Sequence, residues 1–238
     1  MADTEKLQVK TVEEFFRQPE EFQTAVRKIV QSHAINELYG SQVFDEPAIA
    51  LAPTPYAKWL TCRVAMEEYG HHVRFAELGE AIGIAHEDLL PRFGGKRPLS
   101  IFDFAMRTWP EFCVLKLLGD LAEILQVEDL IQCSFHPLRN LARMTMPEER
   151  FHAQFGEDFC TDLVQEDETR EQVQGAIDRI YPQLPAFFGA AKSRNNAIFR
   201  KWGIKVRTNE AMRQDYVSRA GTLVEKLGLE LPDTAQAA

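Results

Sequence analysis

"VAMEEYGHHVRF", residues 64–75, sets two carboxylates and two imidazoles inside a run of helix formers and apolar side chains. Leu60, Val64, Phe75 and Leu78 recur at helical spacing and mark the face that turns towards a core. Glu68 and His71 fill the missing positions of that stripe, three residues apart and therefore neighbours on one face. An acid and a base are thus aimed at the interior, where an unpartnered ion is costly.

The device recurs. A later stripe of Leu138, Ala142, Thr145, Gly156 and Phe159 has Glu149 and His152 in its gaps. Two other helical stripes carry a single inward carboxylate: Val26, Val30 and His33 lead to Glu37, and Cys113 and Leu117 lead to Asp120 and Ile124. Glu37 precedes Glu68 by 31 residues and Asp120 precedes Glu149 by 29, and each second carboxylate opens an E-x-x-H. Two hairpins of one design imply a bundle with pseudo-two-fold symmetry.

Four buried carboxylates without counter-charge would cost several kcal/mol each, so a cation belongs among them. Two divalent ions would neutralise the set, and the absence of thiolate favours iron, or manganese, over structural zinc. One carboxylate from each of two helices and E-x-x-H from the other two is the di-metal pattern of ferritin-like bundles. The expected fold is all-α, a ferritin-like four-helix bundle with additional C-terminal helices. The expected metal and catalytic residues are Glu37, Glu68, His71, Asp120, Glu149 and His152. Asp120 is the shorter acid and would leave one metal more loosely held, with a position open for oxygen. Glu123, on the inward half of the same helix, is the alternative at that place. Glu67 and His72 compete by spacing and otherwise serve to orient ligands. His33 reads as a satisfied core histidine, His86 and His136 as solvated, and Tyr39 and Tyr69 as packing residues rather than radical hosts.

The rest of the chain fits that frame. Helices are expected over about 20–44, from Pro55 to Gly83, over "FAMRTWPEFCVLKLLGDLAEIL" (104–125) from Thr108 onward, and from "SFHPLRN" (134–140) past Phe159. Ser134 is the expected cap of the last, and Pro147 is expected to kink or split it. "HEDLLPRFGGKRPLS" (86–100) reads as the crossover between hairpins, and two or three shorter helices are expected from about 168 to 227. A single domain over 1–238 accounts for this, with a core bundle at about 20–165. Strand signals are nearly absent.

A net charge of −9 and a pI near 5.3 argue against nucleic acid as a partner. No window approaches the ~18 consecutive apolar residues of a membrane span, and the start carries no signal core, so no membrane role and a cytoplasmic location are expected. Cys62, Cys113, Cys133 and Cys160 are scattered and read as buried reduced thiols. No Walker loop, G-x-S-x-G or G-x-G-x-x-G is present.

The ligand pattern, the segment "TWPEFCVLKLLGDLAEIL" before "EERFHAQFG", and "FRKWGIKVRTNEAMRQDYV" (199–217) together resemble the phenylacetic acid catabolic family of bacterial multicomponent di-iron monooxygenases, in particular its phenylacetyl-CoA epoxidase catalytic subunits. The likeness runs from about Phe22 to Tyr216. It implies two irons held by the six residues above, O2 as co-substrate, and insertion of oxygen into an aromatic or unsaturated acyl-CoA. It also implies a reductase as electron donor and a related ferritin-like subunit, or a second copy, as partner. A CoA-sized anion would need basic groups at the cavity mouth. Arg92, Lys96 and Arg97, or Lys201, Lys205 and Arg207, are available, although solvated surface charge is the preferred account of both groups. Phe112, Phe151 and Phe155 are candidates to line a dry pocket, although such residues are more often simply core. The competing readings are a ferritin-like metal-binding protein without turnover and a non-catalytic partner subunit.

Overall fold

The computed structural model describes residues 7–91 and 99–232. Arg92, Lys96 and Arg97 lie outside the described residues. Ten α-helices occur among those described: α1 (Val12–Phe16), α2 (Glu20–Gly40), α3 (Glu46–Leu51), α4 (Pro55–Ala81), α5 (Trp109–Val114), α6 (Asp120–Leu130), α7 (His136–Leu163), α8 (Asp167–Ile180), α9 (Arg194–Lys201) and α10 (Asn209–Lys226). The sole β pairing among them is one bridge between Val9 and Phe135. No described helix is long and apolar enough to cross a membrane.

The bundle is two helical hairpins. In the first, α2 and α3 are one rod joined by a π-helical turn, Ser41–Asp45, and α2 packs chiefly on α4. In the second, α5 and α6 are joined by another π-helical turn, Leu115–Gly119, and pack on α7. A π turn inserts one residue into the helical repeat and re-aims the side chains beyond it, and such turns concentrate at functional sites. Both lie within a turn or two of a single inward carboxylate: Ser41 begins four residues after Glu37, and Asp120 directly succeeds Gly119. The first rod therefore reaches Leu51, beyond the expected end near residue 44.

Start signals in the sequence are realised at two bundle helices. Thr54 caps α4 by accepting from Ala57 N–H at 3.0 Å, and Thr108 and Glu111 form a reciprocal capping box on α5. Ser134 does not cap α7. Its hydroxyl donates to the Trp202 carbonyl at 2.7 Å, and Phe135 takes the cap position without a side-chain bond. Nor does Pro147 split α7, which runs unbroken through it. Cys62 is exposed, contrary to expectation, while the other three thiols are buried.

Along each bundle rod the inward acids and bases separate two apolar clusters. One holds Phe22, Val26, Val30, Phe75, Ile82, Leu138 and Ala142; the other holds Phe44, Val64, Phe112, Leu117, Phe155 and Cys160. Gly156 allows a close approach between rods. A Cβ there would sit 2.3 Å from Leu117 N and 2.7 Å from Lys116 C, so α7 is seated directly on the second π turn. On the outside, α8 packs on α5 and α10 on α6, and Tyr181 and Tyr216 stack between them with ring centroids 6.0 Å apart.

Candidate metal centre

The layer between the two clusters brings together all six sequence-predicted residues. His71 and His152 are fully buried, with ring centroids 5.8 Å apart and their Nδ1 atoms turned inward. Around His71 Nδ1 lie Glu149 Oε1 at 3.0 Å, Glu68 Oε2 at 3.5 Å and Glu37 Oε2 at 3.7 Å. Around His152 Nδ1 lie Glu68 Oε1 at 3.1 Å, Asp120 Oδ2 at 4.0 Å and Glu149 Oε2 at 4.0 Å. Glu68 and Glu149 thus present one oxygen to each imidazole, while Glu37 and Asp120 serve one side each. Glu37, Glu68, His71 and Glu149 can converge on one ion, and Glu68, Asp120, Glu149 and His152 on a second.

The outer ring nitrogens are held crosswise. His71 Nε2 donates to Glu148 Oε2 at 2.9 Å, and His152 Nε2 donates to Glu67 Oε2 at 2.9 Å. Each helix of the E-x-x-H pair therefore supplies the carboxylate that fixes the imidazole of the other. A carboxylate on Nε2 puts the proton there and leaves Nδ1 as the lone-pair donor, the arrangement common to metal-bound histidine. Arg74 braces Glu148 and Arg63 braces Glu67. Glu67 takes the orienting role read from the sequence, whereas His72 instead meets the Ala34 carbonyl at 2.8 Å.

Four inward atoms of the six residues, His71 Nδ1, His152 Nδ1, Asp120 Oδ2 and Glu149 Oε1, make no hydrogen bond of good geometry and are held only by ion-pair contacts within the centre and with Lys116. Buried polar atoms are normally satisfied, so acids and imidazoles gathered here with poor hydrogen-bond geometry form a setting that could take a cation. Without a metal, these groups pair their charges with one another, and Nδ1 of each imidazole gives up a proton before it can act as a donor. Burial pushes Asp120 well above the usual carboxylate range and Glu149 up to about 7. For Glu68, burial is outweighed by Lys116 and His152, which hold it well below that range; for Glu37, burial is outweighed by His33 and His71. Burial opposes charge on His152 too, but Glu68 and Glu67 raise it to about 10. The donor set of oxygen and imidazole nitrogen fits a pair of hard to borderline divalent metals.

Two further residues enter the site that sequence reasoning missed. Lys116, in the second π turn, has its Nζ 2.7 Å from Glu68 Oε1, 3.0 Å from Asp120 Oδ2 and 3.1 Å from Asp45 Oδ1. Burial alone would favour neutral lysine, but Asp120, Asp45 and Glu68 together hold it charged. A lone cation in the apolar run "FCVLKLLGD", four residues before an inward acid, was the available signal. Glu148 was signalled by the doubling of E-E-x-x-H in both helices. Asp120, not Glu123, stands beside His152 Nδ1. Glu123 lies 3.3 Å from His33 Nδ1, which is also 3.9 Å from Glu37, so the half-buried His33 faces two carboxylates and stacks on Phe75, and these three side chains, His33, Glu37 and Glu123, could themselves converge on a cation.

A cavity of about 80 Å³ opens against the centre, with Glu37, Glu68, Asp120 and Glu149 on one wall and Phe44, Ile101, Phe102, Leu184 and Phe187 on the others. Its neighbour, about 250 Å³, shares Asn36, Glu123 and Phe187 with it and mixes apolar groups such as Ile29, Leu99 and Phe199 with polar ones, Lys28, Ser193, Asn196 and Lys205. Phe112, Phe151 and Phe155 do not line the inner chamber. Phe112 and Phe155 interlock with Trp109 in the core, and Phe151 stacks under Arg63. Of the C-terminal basic residues, Lys201 pairs with Glu21 and Arg207 with Asp129 and Asp215, leaving Lys205 at the outer pocket. Tyr39 stacks on Phe102 and Tyr69 donates to Glu46, both as packing groups.

Comparison with known proteins identifies the family of the chain. The chain is 29% identical to a subunit of the 1,2-phenylacetyl-CoA epoxidase of Escherichia coli (strain K12), over 98% of its own length and 78% of that protein's. A family model described as "Phenylacetic acid catabolic protein" matches residues 8–238, nearly the whole chain. This ferritin-like bundle therefore belongs to the phenylacetic acid catabolic protein family.

Proposed function

We propose that the chain is the catalytic subunit of a multicomponent di-iron monooxygenase that epoxidises or hydroxylates an aromatic or unsaturated acyl-CoA. The observation that carries the reading is the convergence of six buried donors, two of them shared, on two imidazole nitrogens left free by crosswise carboxylates. Glu37, Glu68, His71 and Glu149 hold one iron and Glu68, Asp120, Glu149 and His152 the other, with manganese the alternative metal. The iron pair supplies two-electron activation of O2, which side chains cannot.

The chain's own residues do the remainder. Glu148 and Glu67 keep His71 and His152 in the tautomer that offers Nδ1. Phe44, Ile101, Phe102 and Leu184 exclude water from the face where oxygen would be used, and this apolar chamber favours turnover over metal storage. The inner chamber, about 80 Å³, is smaller than the ~150 Å³ apolar cavity that takes benzene. Seating a ring therefore requires the shared wall of Asn36, Glu123 and Phe187 to yield, with the polar arm of the thioester in the outer pocket beside Lys28 and Lys205. Insertion of one oxygen atom from O2 consumes two added electrons, so a separate reductase belongs to the system. The E. coli relative is itself one subunit of its epoxidase, which supports a ferritin-like partner or a second copy here.

The test is elemental analysis and absorption spectroscopy of protein expressed with iron, followed by turnover of CoA thioesters with a reductase. About two irons per chain and oxygenated product are expected. A metal-free protein from iron-replete cells that also refuses iron on reconstitution would refute the reading.

A further inference from the structure

Lys116 lies outside the ligand set yet touches its centre. Its Nζ contacts Glu68 Oε1 and Asp120 Oδ2, the oxygens that these two acids turn towards His152 Nδ1. The ammonium already holds the oxygens that an ion beside His152 would need. The His71 side differs. There Glu37 Oε2, Glu68 Oε2 and Glu149 Oε1 face the imidazole, and among the described residues no lysine or arginine pairs with any of those oxygens.

Asp45 completes the arrangement. It is 2% exposed, sits in the π turn of the first hairpin, and belongs to none of the three groups of converging donors. Its Oδ1 is 3.1 Å from Lys116 Nζ, so it is a third carboxylate on the ammonium, separate from the two that His152's ion would take. A buried ammonium stripped of its partners is strongly disfavoured, so Lys116 can release Glu68 and Asp120 only where another carboxylate keeps it paired. Asp45 is that carboxylate.

The geometry points to ordered metal loading: the Lys116 ammonium is an internal occupant of the Asp120–His152 half-site, the His71 half-site fills first, and the second metal enters as Lys116 withdraws onto Asp45. The inference rests on the di-metal reading. The lysine remains protonated throughout, so the exchange is one of cations, and the second affinity is the difference between the hold of metal and of ammonium on Glu68 and Asp120.

Anaerobic Co(II) titration of the metal-free full chain, followed by calorimetry and visible spectrum, tests it. Wild type should bind in two steps, and K116M should tighten the second by about tenfold or more while moving the first by less than about threefold. D45N should weaken the second step alone. With Lys116 intact, H71A should abolish the tight step and H152A should spare it, which decides the order even if K116M folds poorly.

Equal second-step affinity in wild type and K116M would overturn ordered loading. So would equal strengthening of both steps, which marks a general field effect, or loss of the tight step in H152A instead of H71A. In those cases two ions still bind and the di-metal reading stands. No Co(II) bound by wild type or variants would remove both.

Discussion

Gly156→Ala should destabilise the protein although alanine is the better helix former. The added Cβ would meet three backbone atoms, Leu117 N at 2.3 Å, Lys116 C at 2.7 Å and Cys113 O at 2.8 Å. Backbone cannot rotate out of the way as a side chain can, so α7 would have to retreat by about 1 Å to restore van der Waals separation. The helix-propensity gain of about 1 kcal/mol is set against overpacking of about 1–3 kcal/mol, here at its upper end, and against the looser packing along the retreating rod. The net expectation is a loss of about 2 kcal/mol. Glu149 and His152 ride on the same helix, one to two turns away, so metal affinity should fall as well. Gly175→Ala is the matched control: it lies in α8 with nothing within 4 Å of the new methyl and should stabilise by about 0.5–1 kcal/mol. Urea unfolding of the metal-free proteins reads both. Wild-type stability or better in G156A, with G175A behaving as expected, would refute the close-approach argument.

Three other outcomes are expected from the structure. E148Q and E67Q should each weaken metal binding about 10–100-fold without loss of helix, and crosswise: E148Q at the ion beside His71, E67Q at the ion beside His152. Site-resolved Co(II) spectra of these variants showing the same-helix pairing would contradict the tautomer argument. The metal-free protein should lose stability as pH rises. His33, raised to about 9 by Glu123 and Glu37 against burial, and His152, raised to about 10, contribute fully below the ordinary histidine value and lose that contribution as pH climbs through 9–10. Glu149, lifted to about 7 by burial, acts in the same sense, so a metal-free Tm that holds steady from pH 6.5 to 10 would count against these charge states. Asp129→Asn should loosen the C-terminal segment by about 2 kcal/mol or more, because this buried carboxylate accepts from Val206 N–H, Arg207 N–H and Arg207 Nε–H at 3.1–3.2 Å. Denaturant midpoints check it, and an unshifted one would show the bonds to be dispensable.

How much could be read from the chain depended on periodicity. Helical spacing places a residue on a face, and the faces carrying Glu37, Glu68, His71, Asp120, Glu149 and His152 were legible because each interrupts an apolar stripe. Spacing says nothing about what reaches across from another element. Lys116 meets Glu68 and Asp45 over 48 and 71 residues, and Glu148 meets His71 over 77, so their roles emerge only once the hairpins are docked. The π turns were invisible for a related reason: they change the phase of a helix without a sequence marker, so the first rod ran past its expected end. Proximity in sequence to a ligand turn left Phe112 and Phe155 open as pocket lining or as core, and helix phase turns them into the Trp109 cluster, the core alternative. Ser134 has a good cap's chemistry, but the C-terminal segment's Trp202 carbonyl competes for its hydroxyl.

The crossed pairs, Glu67 with His152 and Glu148 with His71, obey the reciprocity of an isologous contact, in which each side offers its partner what it receives in return. The contact lies within one chain, so neither hairpin can align its own imidazole, and a half-molecule would hold no finished site. Covalent linkage also frees the halves from identity. A symmetric dimer of one hairpin would carry the same residue four places before each single acid; here that place is His33 on one side and Lys116 on the other. One imidazole and one ammonium give two otherwise matched half-sites different reasons to accept a metal.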